Sequence, residues 1–243
     1  VQRVGEPDTA AIGILPHPHR SIRAAIPFFN PMACNTVMLR VADFTNLNLY
    51  FRSEFGNSLD YDMWSRATDR LMITNLPSAL GTYRRHPQQT SQGTALREMN
   101  DHALKVQVEI IQRSLGVSMT RQQIETHRAA TIAPIDIPTL ERLDAIAEWF
   151  SLLQAANRSQ YGFDRLAFDH FIAQQWLTVL RRAGHQQDWH AVVQYVVGNA
   201  RSLQFGIRPS VHALLHGLHR KRRQRFRRLP SERNRVPGIS PRG

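Results

Sequence analysis

Cysteine is the scarcest chemistry in this chain: Cys34 stands alone among 243 residues. One thiol excludes an internal disulfide framework and a cysteine-rich zinc site, and it makes a reducing cytoplasm the default compartment. Cys34 itself reads as a buried thiol. Long apolar runs are lacking too. No stretch approaches the roughly 20 residues needed to cross a bilayer, and no charged-then-apolar signal segment opens the sequence. These absences speak for the residues present. Neither a Gly-rich phosphate loop of the P-loop or dinucleotide kind nor an internal repeat occurs.

Acid is lacking where base is densest. From His216 to Gly243 ten Arg/Lys face one acid, Glu232, so nine of the net +12 charges lie in the tail and the remaining body is close to neutral. A like-charged tail containing Pro230 and Pro237-Gly238 reads first as solvated and disordered. Val211, Leu214, Leu215 and Leu218 put an apolar stripe just before it, which makes docking of residues 219–243 on an anionic membrane surface the next reading. Nucleic acid is disfavoured, because only Phe226 interleaves the arginines and no binding module surrounds them.

The rest of the composition, 42% hydrophobic and 8% aromatic, suffices for one substantial core or two modest ones. Residues 1–20 are Gly/Pro-rich, with Pro16-His17-Pro18-His19 barring continuous helix, and read as a linking or severed segment. His17 and His19 have no third ligand nearby, so they read as a solvated loop. Residues 21–92 read as mixed α/β. A helix is expected near Ser21–Pro27, a strand near Thr36–Arg40, a helix from Leu59 to Leu71, and extended segments near Ile73–Leu76 and Ala79–Arg85.

Residues 93–218 read as helical. Leu96, Met99, Ala103, Val106 and Ile110 recur at helical spacing and stop at Gly116, while Thr120 with Gln123 forms a capping box for the next helix. After the break at Pro134–Pro138, one helix is expected through Leu140–Leu153, another after a cap at Asp164, and a shorter one over Trp189–Val197. Trp149, Phe150, Phe168, Phe171, Trp176 and Trp189 could form a sugar-stacking platform, but at this spacing they read as core.

The densest signal is the run Asn57-Ser58-Leu59-Asp60-Tyr61-Asp62-Met63-Trp64, followed by Asn75-Leu76-Pro77 and Tyr83-Arg84-Arg85-His86. Asp60 falls in the first turn of a helix capped by Asn57 or Ser58. A carboxylate there gains roughly 0.3–1 kcal/mol from the helix dipole whether or not it does chemistry. Asp62, two residues on, reads as a cap or a solvated acid.

Four segments in order resemble the acceptor-side half of family 2 glycosyltransferases. Phe29-Asn30-Pro31-Met32-Ala33 with Thr36-Val37-Met38-Leu39-Arg40 resembles "NPI.H.TVMFR", and Leu59-Asp60-Tyr61-Asp62-Met63-Trp64-Ser65-Arg66 resembles "EDYDLWLR". Asn75-Leu76-Pro77 with Leu80 resembles "NLPE.L", and Tyr83-Arg84-Arg85-His86 with Ser91 resembles "YR.H...S". The match covers about residues 20–92 and, more loosely, the helical part to about residue 200. Cys34 stands where many members carry histidine, and Leu59 replaces the first acid of the Glu-Asp pair.

The resemblance implies an α/β fold of the GT-A kind for residues 21–92, followed by a helical region. It also implies a fragment that begins after the nucleotide-binding half and the Asp-rich metal motif of such enzymes. The activity implied is transfer of a sugar from a nucleotide-sugar donor to an acceptor hydroxyl, with inversion, in polysaccharide or glycoconjugate synthesis. Asp60 would be the base; Arg84 and His86 would meet the donor diphosphate or its Mg²⁺ or Mn²⁺; Asn30, Thr36 and Trp64 would line the acceptor. The acceptor would be a carbohydrate or lipid-linked molecule, met at the inner face of a membrane. Two alternatives stand beside this one: a non-catalytic basic helical module that binds an anionic membrane or partner, and a degenerate glycosyltransferase relic.

Overall fold

The computed structural model describes residues 2–4, 15–78, 80, 82–84, 93–131, 139–186, 189–198 and 205. A short strand β1 (Gln2–Val4) is followed by α1 (His19–Ala25), α2 (Val41–Asn46) and α3 (Leu59–Ala67). After a second short strand, β2 (Thr82–Arg84), come α4 (Gly93–Leu115), α5 (Arg121–Thr131), α6 (Leu140–Gln160), α7 (Arg165–Gln186) and α8 (Trp189–Gly198). β1 and β2 pair in parallel, Gln2 opposite Thr82 and Val4 opposite Arg84.

That pair is the only sheet among the described residues, so the expected α/β domain of the GT-A kind is replaced by a helical one. The expected strand at Thr36–Arg40 shows why. Cys34–Thr36 is a single 3₁₀ turn, Met38 beyond it is 98% exposed, and no described strand lies beside the segment. A strand needs a neighbour for its backbone groups. Apolar alternation alone does not supply one.

The later helices follow their sequence signals closely. Gly116, at φ +66, ends α4. The amide of Thr120 donates to Gln123 Oε1 at 2.8 Å while the amide of Gln123 donates to Thr120 Oγ1 at 3.2 Å, which is a reciprocal capping box. Asp164 Oδ1 accepts from the amide of Ala167 and starts α7. Tyr161, left-handed at φ 54, closes α6.

α4, α6 and α7 build the centre, with α5 and α8 against them, α1 on α7 and α3 on α4. One core cluster runs through all of these, from Ala24, Phe28 and Trp64 to Phe150, Trp176 and Val192. Trp149, Phe150, Phe168 and Trp176 are buried within it and Phe171 packs at its edge. Phe28 is its hub on the α1 side, meeting Phe150 edge-on and Phe168 and Phe171 at a tilt. The aromatic residues are therefore core; the side chain of Trp189 lies outside the described set, as do residues 206–243 with the basic tail.

Close approach fixes two glycines. A Cβ on Gly162 would stand 2.0 Å from the Ser114 carbonyl oxygen, so the turn between α6 and α7 can lie on the end of α4 only without one. Gly56, at φ +45, presses the Ser53–Ser58 turn onto the ring of His102 on α4.

A buried polar relay joins α5 and α6 to the chain after α1. Trp149 Nε1 donates to His127 Nδ1 at 3.0 Å, which leaves His127 Nε2 to donate to the Pro27 carbonyl at 3.1 Å. Both ring nitrogens are satisfied only in the neutral form, since a proton on Nδ1 would face the indole N–H. Burial pushes the His127 pKa down to about 4, the Pro27 bond only partly opposing it. An unfolded histidine titrates near about 6.5, so between those values the unfolded state holds the extra proton and stability falls as pH falls. In paired thermal melts, the stability gap between wild type and His127→Gln should narrow as pH drops from 6.5 towards 4. A gap that stays constant across that window would contradict the relay.

Candidate functional site

α3 presents its two acids on opposite sides, because residues two apart on a helix are about 200° apart around its axis. Asp60, half-buried, faces the Asn30-Pro31 segment. Asn30 Nδ2 donates to Asp60 Oδ2 at 3.1 Å, and the amide of Tyr61 donates to Asp60 Oδ1 at 2.8 Å. Asn30 is itself fixed, since its Oδ1 accepts from the amide of Met32 at 3.2 Å. A carboxylate offers about four acceptor positions. Among the described residues, two of these on Asp60 meet no donor.

Asn75 holds the floor of this corner. Its Nδ2 donates to the carbonyls of Pro31 at 3.0 Å and Pro16 at 2.7 Å. The backbone around it is clasped by the histidine pair: the amide of Asn75 donates to the His17 carbonyl, His17 Nδ1 donates to the Asn75 carbonyl, and the amide of Ile73 donates to His19 Nδ1. Burial, reinforced by the charge of Arg23, lowers the His19 pKa and suits the neutral ring this bond needs. The two histidines are thus structural pegs, where the sequence suggested a solvated loop. Asn30, Asp60 and Asn75 come from three separate motifs and meet here.

Cys34 corrects another expectation, for it is exposed. Partial burial, with the negative charge of Asp60 added, pushes its thiol pKa up, which keeps it protonated next to the carboxylate. Thr36 is exposed and its Oγ1 donates to the Ala33 carbonyl at 2.8 Å, a local turn bond. Trp64 is 2% exposed with its ring edge-on to Phe44. It sits in the core, out of reach of an acceptor. Arg84 contributes its backbone to β2; its side chain, and His86 altogether, lie outside the described residues.

On the far side of α3, Asp62 is 1% exposed, where the sequence suggested a cap or solvated acid. Arg52 donates to it through both Nε, at 2.9 Å, and Nη2, and Arg66 Nη2 donates at 2.7 Å. Burial alone would raise the Asp62 pKa; the hydrogen bonds from Arg52 and Arg66 outweigh it and hold the carboxyl below its usual range. Arg52 Nη2 continues to Glu109 Oε2 at 2.8 Å on α4, with its guanidinium over the Phe55 ring. The Asp62–Arg66 pair has the i, i+4 spacing that a sequence can show; Arg52 and Glu109 reach the site only through the fold. The helix cap also differs from expectation, since Ser58 Oγ donates to the Met99 carbonyl and makes no capping bond.

Among the described residues no three His, Cys, Asp or Glu side chains converge as a metal ligand set, and no helix is long and apolar enough to cross a membrane.

Over 93 residues the chain is 33% identical to a protein of Haemophilus influenzae named as an uncharacterized glycosyltransferase. The matched stretch is 38% of this chain and 28% of that relative, so the chain spans well under two thirds of the relative's length. No family model matches the sequence. No solved structure matches it. The similarity is therefore to a glycosyltransferase, at that coarse level.

Removing a buried charge's partner costs roughly 3–5 kcal/mol, and less where the survivors can turn to water. Arg52 and Arg66 are each partly exposed, so Asp62→Ala should lower stability by about 2–3 kcal/mol in denaturant unfolding. Asp60→Asn keeps the shape but offers one oxygen to two donors, Asn30 Nδ2 and the Tyr61 amide, so it loses one hydrogen bond and should cost only about 1 kcal/mol. Equal losses in the two variants would contradict the division of roles.

Proposed function

We propose that this chain is the acceptor-side part of a longer glycosyltransferase that moves a sugar from a nucleotide-sugar donor to a carbohydrate or lipid-linked acceptor, with Asp60 as the base. The observation that carries the reading is the Asn30–Asp60 hydrogen bond. It joins two motif segments 30 residues apart and orients a half-buried carboxylate that has acceptor positions unused among the described residues. The Haemophilus influenzae relative, by its name, supports the same class.

In this reading the acceptor hydroxyl gives its proton to an Asp60 oxygen as its own oxygen bonds to the anomeric carbon. The bond from that carbon to the donor diphosphate breaks in the same displacement, its electron pair leaving with the diphosphate. The sugar is inverted, with no covalent sugar–enzyme intermediate. Asn30 and the Tyr61 amide keep the carboxylate aimed. The described residues supply no ligand set for the Mg²⁺ or Mn²⁺ expected in the complete enzyme.

Exposed apolar side chains agree with a larger assembly. Of the twelve large hydrophobic residues exposed among the described ones, eight lie between Met38 and Leu80, including Val41, Tyr50, Phe51 and Met72. Such a concentration is what a covering segment or domain would bury. The isolated residues 1–243 should accordingly show little or no sugar transfer.

In the longer protein, Asp60→Asn should lower kcat by roughly 10²–10⁴-fold, the usual contribution of a general base, while thermal melts show the variant still folded. Wild-type turnover in that variant would remove Asp60 from the mechanism.

A further inference from the structure

The far side of α3 holds a second feature, apart from the Asp60 corner. A cleft of about 550 Å³ opens between the end of α2, α3 with the turn after it, and α4, and four arginines line it: Arg52, Arg66, Arg70 and Arg113. Leu47 and Leu49 give it an apolar wall. Neither Asn30, Asp60 nor Cys34 borders it.

The carboxylates around the cleft leave part of this charge unspent. Arg52 is absorbed by Asp62 and Glu109. Arg66 uses Nε and Nη2 on Asp62 and the Tyr50 carbonyl, while Arg113 uses Nε on Asp69 and Nη2 on Ser65. The Nη1 group of each meets no described acceptor. Asp69 is shared, since Arg23 Nη2 also donates to it at 2.8 Å. Among the described residues Arg70 forms no ion pair, and its one hydrogen bond there is a long 3.5 Å contact from Nη1 to the Leu47 carbonyl.

Buried Asp62 therefore fixes Arg66 by one edge, Asp69 does the same for Arg113, and Arg70 beside them meets no described carboxylate. Planar guanidinium groups lining one concave space match the oxygens of a phosphate group better than any neutral ligand, and the two carboxylates that also line it, Asp69 and Glu109, are each already paired with an arginine. The volume lies within the range of small-molecule sites, with room on the leucine wall for an organic part.

We propose that this cleft binds a soluble phosphate-bearing small molecule, its phosphate held by Arg66, Arg70 and Arg113. The site is separate from the Asp60 corner and does not depend on the glycosyltransferase reading.

Inorganic pyrophosphate is the probe, titrated calorimetrically into the full 243-residue chain. Saturable binding is expected, about tenfold weaker in Arg70→Gln for the loss of one charge-assisted hydrogen-bond donor. Arg165→Gln, at an exposed position on α7, should bind as wild type and controls for general charge. Arg70 is exposed and lightly bonded, so the variant should fold; its melt checks this. As a second readout, pyrophosphate should slow phenylglyoxal labelling of Arg66, Arg70 and Arg113 and leave Arg165 unaffected. Absence of saturable binding, wild-type affinity in Arg70→Gln, or unprotected cleft arginines would each overturn the proposal, the second by assigning the binding to the basic tail.

Discussion

The buried carboxylate of Asp62 is the contact on which the arrangement around α3 depends. It gathers Arg52 from the turn before the helix and Arg66 from the helix itself, and through Arg52 it reaches Glu109 on α4. Asp69, just past the end of α3 and more exposed, ties α1 and α4 together through Arg23 and Arg113. A buried ion held this way adds less to net stability than it does to uniqueness of position, because its desolvation cost offsets much of the attraction. Its consequence is geometric: with one face of α3 clamped to α4, Asp60 on the other face is held towards Asn30.

That separation of duties explains how two acids two residues apart come to have unlike environments. Asp62 is closed off and saturated with donors. Among the described residues Asp60 has one donor on each oxygen, which suits the proposed role of proton acceptor. Asn75 and the His17–His19 pair complete the corner by fixing the backbone of the Pro31 segment, so the geometry around Asp60 rests on parts of the chain nearly 60 residues apart.

Much of the helical half was legible because its signals are local. Gly116, the Thr120–Gln123 box and the Asp164 cap each act within a turn or two of themselves, and the apolar period of α4, α6 and α7 is long enough to be unambiguous. The first half was less so. Thr36–Arg40 has a strand's composition without a strand's neighbour, and Cys34 is small enough to pass for core while lying at the surface. Asp62 looked like a solvated acid because its decisive partner, Arg52, lies upstream beyond helical spacing, and Glu109 lies 47 residues downstream. The resemblance placed Asn30 with the acceptor and Asp60 as the base; the hydrogen bond that joins the two belongs to the fold. Trp64, grouped with the acceptor contacts from its place in the same motif, is drawn into the core by the apolar face it shares with Met63 and Ala67.

The central claim is that Asn30 acts on catalysis through Asp60, and a double-mutant cycle on transfer rate in the longer protein tests it most directly. If Asn30 only orients that carboxylate, Asn30→Ala slows the wild-type enzyme but adds nothing once Asp60→Asn is present. Independent, multiplicative losses in the double variant would contradict the account.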